Sequence, residues 1–210
     1  MMGESISASF AKLSPTTICD VLTRDRVMDT GIRPLWPGMP RVAGPAYPVR
    51  CPPGDNLMLH AAIYRAEPGS IIVAQGGDND YALAGGNVCA VAQKRGVVAF
   101  VLDGVIRDIA ESRERRFPVF ARGVMPFPGA KDAVGVLNGP IRCGGVDVRP
   151  GDIVVADEEG IVVVPSARAD EVLKAAQARA VKEEAQTLEE WEKAHRARVE
   201  EILRKKGISG

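Results

Sequence analysis

The chain has few of the side chains that most often carry chemistry alone. Its two histidines, His60 and His195, are isolated from each other, so a His-based triad or a zinc enzyme is hard to assemble from them. The four cysteines, Cys19, Cys51, Cys89 and Cys143, fall in no C-x-x-C spacing. That argues against a zinc site or redox motif and suggests reduced thiols in a cytoplasm. No apolar run approaches the length of a membrane span, and no charged-apolar-cleavage pattern opens the chain. Net charge is also missing: 27 Lys and Arg balance 27 Asp and Glu, so no global field draws in nucleic acid or an anionic membrane. A length of 210 residues suits one substantial core with an appendage.

Two loops stand out against this background. The first follows an apolar run, Val101-Leu102, which reads as a buried strand breaking at Asp103-Gly104. Arg107, Asp108 and Glu111 come next, at the start of a polar, helical segment. Arginine can grip a planar carboxylate with two hydrogen bonds, and Asp108 offers hard oxygens to a cation such as Mg²⁺. Arg-Asp alone would equally suit a surface ion pair capping a helix.

The second loop, residues 76–87, follows the strand-like Ser70–Ala74 and precedes a helical segment from Val88 to Arg95. Glycines ahead of a helix let the backbone approach an anion, which the first-turn N–H groups can bind. No G-x-G-x-x-G stands here, no Walker lysine follows, and no acidic strand end awaits an adenosine ribose. A loop for one carboxylate fits better than one for a pyrophosphate or a methyl donor. Cys89 lies beside this loop and reads first as a packing residue.

Around these loops the pattern is of strands and turns. Ser14-Pro15 signals a helix start, with Asp20 expected near the middle of that helix. From Gly31 to Pro53, prolines and glycines interrupt short apolar pieces, which reads as edge strands and turns. Leu57–Ala62 is helix-like, and His60 within it reads as structural. Pro68-Gly69 and Pro150-Gly151 each supply a turn feeding a strand. Pro118–Ala121 adds sheet, as do 153–157 and 161–164, joined by a turn at Glu158-Glu159-Gly160. The expectation is an α/β fold with mixed sheets around a small barrel and flanking helices.

From Ser166 the chain becomes a charged helix with no Gly or Pro until Gly207. Val181, Leu188, His195 and Ile202 recur every seven residues with Trp191 between them, a narrow stripe suited to a neighbouring subunit or the barrel itself. A capping box at Thr187–Glu190 would divide the helix in two. The expected division is 1–165 and a helical extension, 166–210.

The run from Gly85 to Glu111, together with Pro150–Pro165, resembles the RraA-like family over roughly residues 14 to 185. That family contains class II pyruvate aldolases acting on 4-hydroxy-4-methyl-2-oxoglutarate and 4-carboxy-4-hydroxy-2-oxoadipate, and also regulators of ribonuclease E. The resemblance implies a swivelling β/β/α-type sandwich or barrel. Its aldolases carry an acid, twenty residues, Arg-Asp, two residues, then Glu or Asp. Arg107, Asp108 and Glu111 match the second half, but position 86, where the leading acid should stand, is Gly86. The resemblance further implies that the backbone of Gly85, Gly86, Asn87 and Val88 holds a pyruvyl carboxylate. Arg107 would contact the ketoacid oxygens, and Asp108 would ligate Mg²⁺ or Mn²⁺. Asp20 would face the site, and Glu183 or Glu184 of a neighbouring subunit would move a proton. The implied activity is cleavage of a 4-hydroxy-2-oxo dicarboxylate to release pyruvate, with oxaloacetate decarboxylation at the same site, in a trimer or hexamer. The alternative is a non-catalytic, ring-shaped regulator of a ribonuclease; Asp108 counts against it and Gly86 for it.

Overall fold

The structure, a computed structural model, describes residues 5–208. Two short helices open it, α1 (Ile6–Ala11) and α2 (Pro15–Cys19). The Ser14 hydroxyl accepts a hydrogen bond from the Thr17 N–H, the N-cap its sequence implies. The helix ends sooner than expected: Asp20 is the C-cap of α2, not its middle.

After the two-residue β1 (Arg33–Pro34) comes β2 (Val42–Arg50), and then strands and helices alternate. They are α3 (Leu57–Arg65), β3 (Ile71–Gln75), α4 (Gly86–Lys94), β4 (Ala99–Ile106), α5 (Ile109–Glu114) and β5 (Val119–Val124). Strands β2 to β5 are parallel neighbours, each pair joined through one helix. Short β6 (Val136–Leu137), β7 (Ile141–Cys143) and β8 (Val146–Val148) follow, then the hairpin β9 (Ile153–Asp157) and β10 (Gly160–Val164). The main sheet runs β1-β5-β4-β3-β2-β9-β10, with β6 also paired to β2; β7 and β8 pair separately. Its end strands β1 and β10 lie against each other, so the mixed sheet curls into a nearly closed barrel.

The proline-rich segment before Pro53 is no edge. β2 is central, antiparallel to β9 through Val42–Pro45 and parallel to β3 through Ala46–Arg50. The Ala46 N–H donates to Asp152 O, 2.7 Å away, on the β9 side. Two residues on, Pro48 faces that same edge where β9 has ended and β6 has not begun. Pro45 faces the other edge before pairing with β3 starts. Each missing N–H thus falls where no partner strand waits, which is how a central strand tolerates two prolines.

Strand β4 does not break at Asp103-Gly104. It continues to Ile106, with a register shift against β5 between Leu102 and Val105. A β-bulge absorbs the Asp-Gly pair and re-aims the strand end. The Asp103 carboxylate is used structurally, accepting hydrogen bonds from Arg122 Nε and the Gly144 N–H. Arg122 also holds both Asp29 oxygens, at 3.1 and 2.8 Å, which depresses the Asp29 pKa and raises its own.

Two apolar cores result, and the β9–β10 hairpin divides them. Val154, Ala156, Ile161 and Val163 face the main core, while Ile153, Val155, Val162 and Val164 face a second one with Phe10 and Ile18. Burial on both faces explains why the hairpin reads as continuous apolar runs. Helix α6 (Ala169–Ala185) closes the second core with Ala169, Val172 and Ala176. Helix α7 (Leu188–Lys205) starts at the expected capping box, Thr187 with Glu190, and buries nothing. Leu188, Trp191 and Ile202 of the stripe are exposed, and Trp191 stacks on His195 at 4.5 Å. Among the described residues no helix is long and apolar enough to cross a membrane.

Replacing Arg122 by Ala leaves two carboxylates without their shared cation. The expected loss is about 2–3 kcal/mol, or about 4–12 °C in Tm. An unchanged melting curve would contradict a structural role for this cluster.

Candidate active site

The head of α4 meets the head of α5 at the end of β4. The loop before α4 is stitched to the strand: the Leu83 N–H donates to Val105 O (2.9 Å), and the Arg107 N–H to Ala84 O (3.0 Å). Gly85 then lies directly against the Asp108 carboxylate and the Arg107 side chain, and a Cβ there would strike Asp108 Oδ2. A Cβ at Gly86 would land on the Glu111 carboxylate. The glycine found where an acid was expected therefore has a physical counterpart, because the Glu111 carboxylate occupies the space a side chain at 86 would need.

Asp108 sits at the N-cap of α5 with φ 56° and ψ 38°, a left-handed conformation. Asp tolerates this region better than most residues, at a cost of about 1–2 kcal/mol. The turn sends its carboxylate back across the gap instead of onto its own helix. Asp108 Oδ2 accepts the Gly86 N–H (3.1 Å) and lies 3.4 Å from Arg107 Nε. The N–H groups of Asn87 and Val88, in the same first turn, have no intrahelical acceptor.

These groups open onto a cavity of about 160 Å³ lined by Gly85, Asn87, Val88, Arg107, Asp108 and Glu111 on one part of its wall. Drug-sized ligands take roughly 300–1,000 Å³, so this space suits a small organic acid. Arg107 is about two-fifths exposed, which leaves its guanidinium available to a ligand. Two carboxylates beside one another fit Mg²⁺, which binds through one or two carboxylates and keeps several waters. Among the described residues no group of three or more His, Cys, Asp or Glu converges as a fuller metal cage.

The rest of the wall was not legible as a site in the sequence. Asn56, His60 and Lys131 line the same cavity. His60, read as structural, instead borders the candidate site. Burial, helped by the Lys131 cation, pushes its pKa down to about 4, while its contact with the Leu83 backbone opposes the shift. Asn56 is buried; its amide nitrogen donates to Ala82 O and Gly129 O, both at 3.3 Å, and its Oδ1 has no hydrogen-bond partner. An unmet buried acceptor costs about 1–3 kcal/mol. Asp55 pins the Lys131 loop by accepting the Asp132 and Ala133 N–H groups, at 2.6 and 3.0 Å. Burial pushes the Asp55 pKa up, and these backbone donors outweigh it, leaving the carboxyl below its ordinary value. The signal available in sequence was Pro53-Gly54-Asp55-Asn56 leading into a helix, a turn that carries two of these polar groups.

The remaining expected residues lie elsewhere in the protomer. Asp20 pairs with Arg179 at 2.9 Å, and Arg179 with Glu183 at 2.9 Å, a cluster between α2 and α6 outside the cavity lining. Glu184 is exposed on α6. Cys89 is fully buried and its thiol is pushed up to about 11 by burial, which suits packing and not nucleophilic attack.

Known proteins share this chain's sequence pattern and fold. A family model described as RraA-like, Aldolase/RraA, matches residues 15–163. A "Putative 4-hydroxy-4-methyl-2-oxoglutarate aldolase" of Halalkalibacterium halodurans is 39% identical over 177 residues, 84% of each chain. Among solved structures, Streptomyces coelicolor RraAS2, described as an unusual member of the RNase ES inhibitor RraA family, is 30% identical. It superposes with a TM-score of 0.76 over 85% of this chain and 93% of its own. An uncharacterized protein of Pseudomonas syringae pv. tomato is 27% identical, with a TM-score of 0.77 over 90% and 92%. With the family model spanning most of the barrel and both loops of the cavity, the chain belongs to the RraA-like family.

Proposed function

We propose that this protein is a divalent-metal-dependent lyase that cleaves a C–C bond of a 4-hydroxy-2-oxo dicarboxylate and releases pyruvate. The observation that carries the reading is the meeting of Arg107, Asp108 and Glu111 with the side-chain-free head of α4 on one small cavity. The aldolase name of the Halalkalibacterium relative supports the same reaction class.

Asp108 and Glu111 would hold Mg²⁺ or Mn²⁺. When bound, the cation supplies a Lewis acid for the negative charge that builds on the ketoacid oxygen. The Asn87 and Val88 N–H groups, at the positive end of α4, bind and orient the substrate carboxylate. Arg107 donates to the oxygen on which enolate charge develops and stabilises it most where that charge is greatest. Decarboxylation of oxaloacetate passes through the same enolate of pyruvate, so this site would support both activities.

The carboxylate that takes the 4-hydroxyl proton as the C–C bond breaks, and returns a proton to the product, would come from a neighbouring subunit, as Glu183 or Glu184. Two features support a shared site in a trimer, stacked or not into a hexamer. No acid of α6 lines the cavity of its own protomer, and the apolar stripe of α7 is uncovered. Four free thiols, three of them buried, support action in the reducing cytoplasm. The regulator reading draws on RraAS2 and on the exposed α7 stripe. Pyruvate release from oxaloacetate with Mg²⁺, abolished by EDTA, would favour the lyase; its absence in both would favour the regulator.

Asp108→Asn, which keeps the left-handed turn, is expected to abolish metal-dependent turnover while the Tm stays close to the parent's. Arg107→Lys keeps the charge but loses the two-pronged donor, and kcat is expected to fall on the order of 10²–10³. Parent-like kinetics in either variant would remove that residue from the reaction.

Light scattering is expected to give a mass three or six times that of the 22.4 kDa chain. A monomer that stays fully active at nanomolar concentration would exclude a shared site.

A further inference from the structure

We propose that Asn56 and His60 form a hydroxyl-recognition subsite, where Asn56 Oδ1 and a ring nitrogen of His60 share, in one three-centre hydrogen bond, the single hydrogen of the hydroxyl on the bond to be cleaved. The inference rests on the lyase reading and deepens it, because it assigns the discrimination between hydroxylated and plain 2-oxo acids to particular atoms.

Three observations lead there. The Asn56 amide cannot turn freely, since its nitrogen serves two backbone carbonyls, of Ala82 and Gly129. Its oxygen is therefore fixed as the remaining end, a buried acceptor without a partner on a residue that lines the cavity. Such a group is suited to a donor that arrives with the ligand. His60 stands on the same wall, one turn further along α3. Its ring is neutral at ordinary pH, with one nitrogen engaged by the Leu83 backbone. A neutral imidazole so engaged presents its other nitrogen as a lone pair. The third observation is the charge beside them. Lys131 lines the same wall and acts on His60 through space. Its ammonium would repel an amine donor, so two acceptors next to a cation select a neutral O–H.

The placement suits the reaction. Arg107, Asp108 and the head of α4 take the 2-oxo acid end, and the hydroxyl lies two carbons along the chain of a 4-hydroxy-2-oxo acid. Oxaloacetate has no hydroxyl there and gains nothing from the subsite. Enzymes that hydrogen-bond a substrate hydroxyl discriminate strongly against analogues lacking it, because the site's own polar groups are then left unpaired.

The test compares two reactions on the full-length, Mg²⁺-loaded protein: cleavage of 4-hydroxy-2-oxoglutarate and decarboxylation of oxaloacetate. The ratio of their kcat/KM values is measured for the parent, His60→Phe and His60→Gln. The ratio is expected to fall about tenfold or more in His60→Phe, with partial recovery in His60→Gln, whose amide oxygen restores an acceptor. Asn56→Asp, which keeps an acceptor but loses the amide donor, serves as a second probe should His60→Phe fail to fold. It retains the ratio better than Asn56→Leu if Oδ1 is the recognising atom. An unchanged ratio in His60→Phe, or equal ratios in the two Asn56 variants, would overturn the subsite while leaving the lyase reading intact. A parent that turns over neither substrate would overturn both.

Discussion

The absence of side chains at Gly85 and Gly86 is the constraint on which the site depends. Two helix starts, α4 and α5, approach closely enough for the Asp108 carboxylate to receive a backbone N–H from the other helix. A Cβ at either glycine would occupy space already held by Asp108 or Glu111. This contact turns two chain segments into one cavity wall that offers N–H donors, a guanidinium and two carboxylates together. It also places opposing demands side by side: the N–H groups and Arg107 favour an anion, while Asp108 and Glu111 favour a cation. A chelating ketoacid with its metal satisfies both, which a simple anion or a bare metal ion would not.

The barrel supplies rigidity within the same strand. Arg122 clamps Asp29 and Asp103, fixing the bulged middle of β4 to the segment that follows α2. The bulge at Asp103-Gly104 and the left-handed turn at Asp108 lie at two points of a single strand exit. Local irregularity in the parallel part of the sheet thus lies next to the cavity, where backbone strain is commonly tolerated for positioning.

Features governed by neighbours in sequence were the readable ones. The β9–β10 hairpin, the Ser14 cap and the Thr187–Glu190 capping box depend on a few adjacent residues, and each stands as its sequence implies. The prolines of β2 misled because their tolerance depends on where β3, β6 and β9 start and stop, which is tertiary information. Asp103-Gly104 misled for a similar reason, since a bulge needs a partner strand to be recognised. Arg107, Asp108 and Glu111 were legible as one motif, but the filling of the Gly86 space by Glu111 was not. The polar wall of Asn56, His60 and Lys131 is drawn from positions 75 residues apart, and only the fold brings it to the cavity.

The most direct test is a crystal structure obtained with Mn²⁺ and pyruvate, using the anomalous signal of the metal to locate it. Mn²⁺ is expected on an Asp108 carboxylate oxygen at about 2.0–2.4 Å, with the pyruvate carboxylate on the Asn87 and Val88 N–H groups and Arg107 on its carbonyl oxygen. Metal bound elsewhere, or pyruvate that leaves the α4 head unoccupied, would contradict the shared ketoacid and metal site.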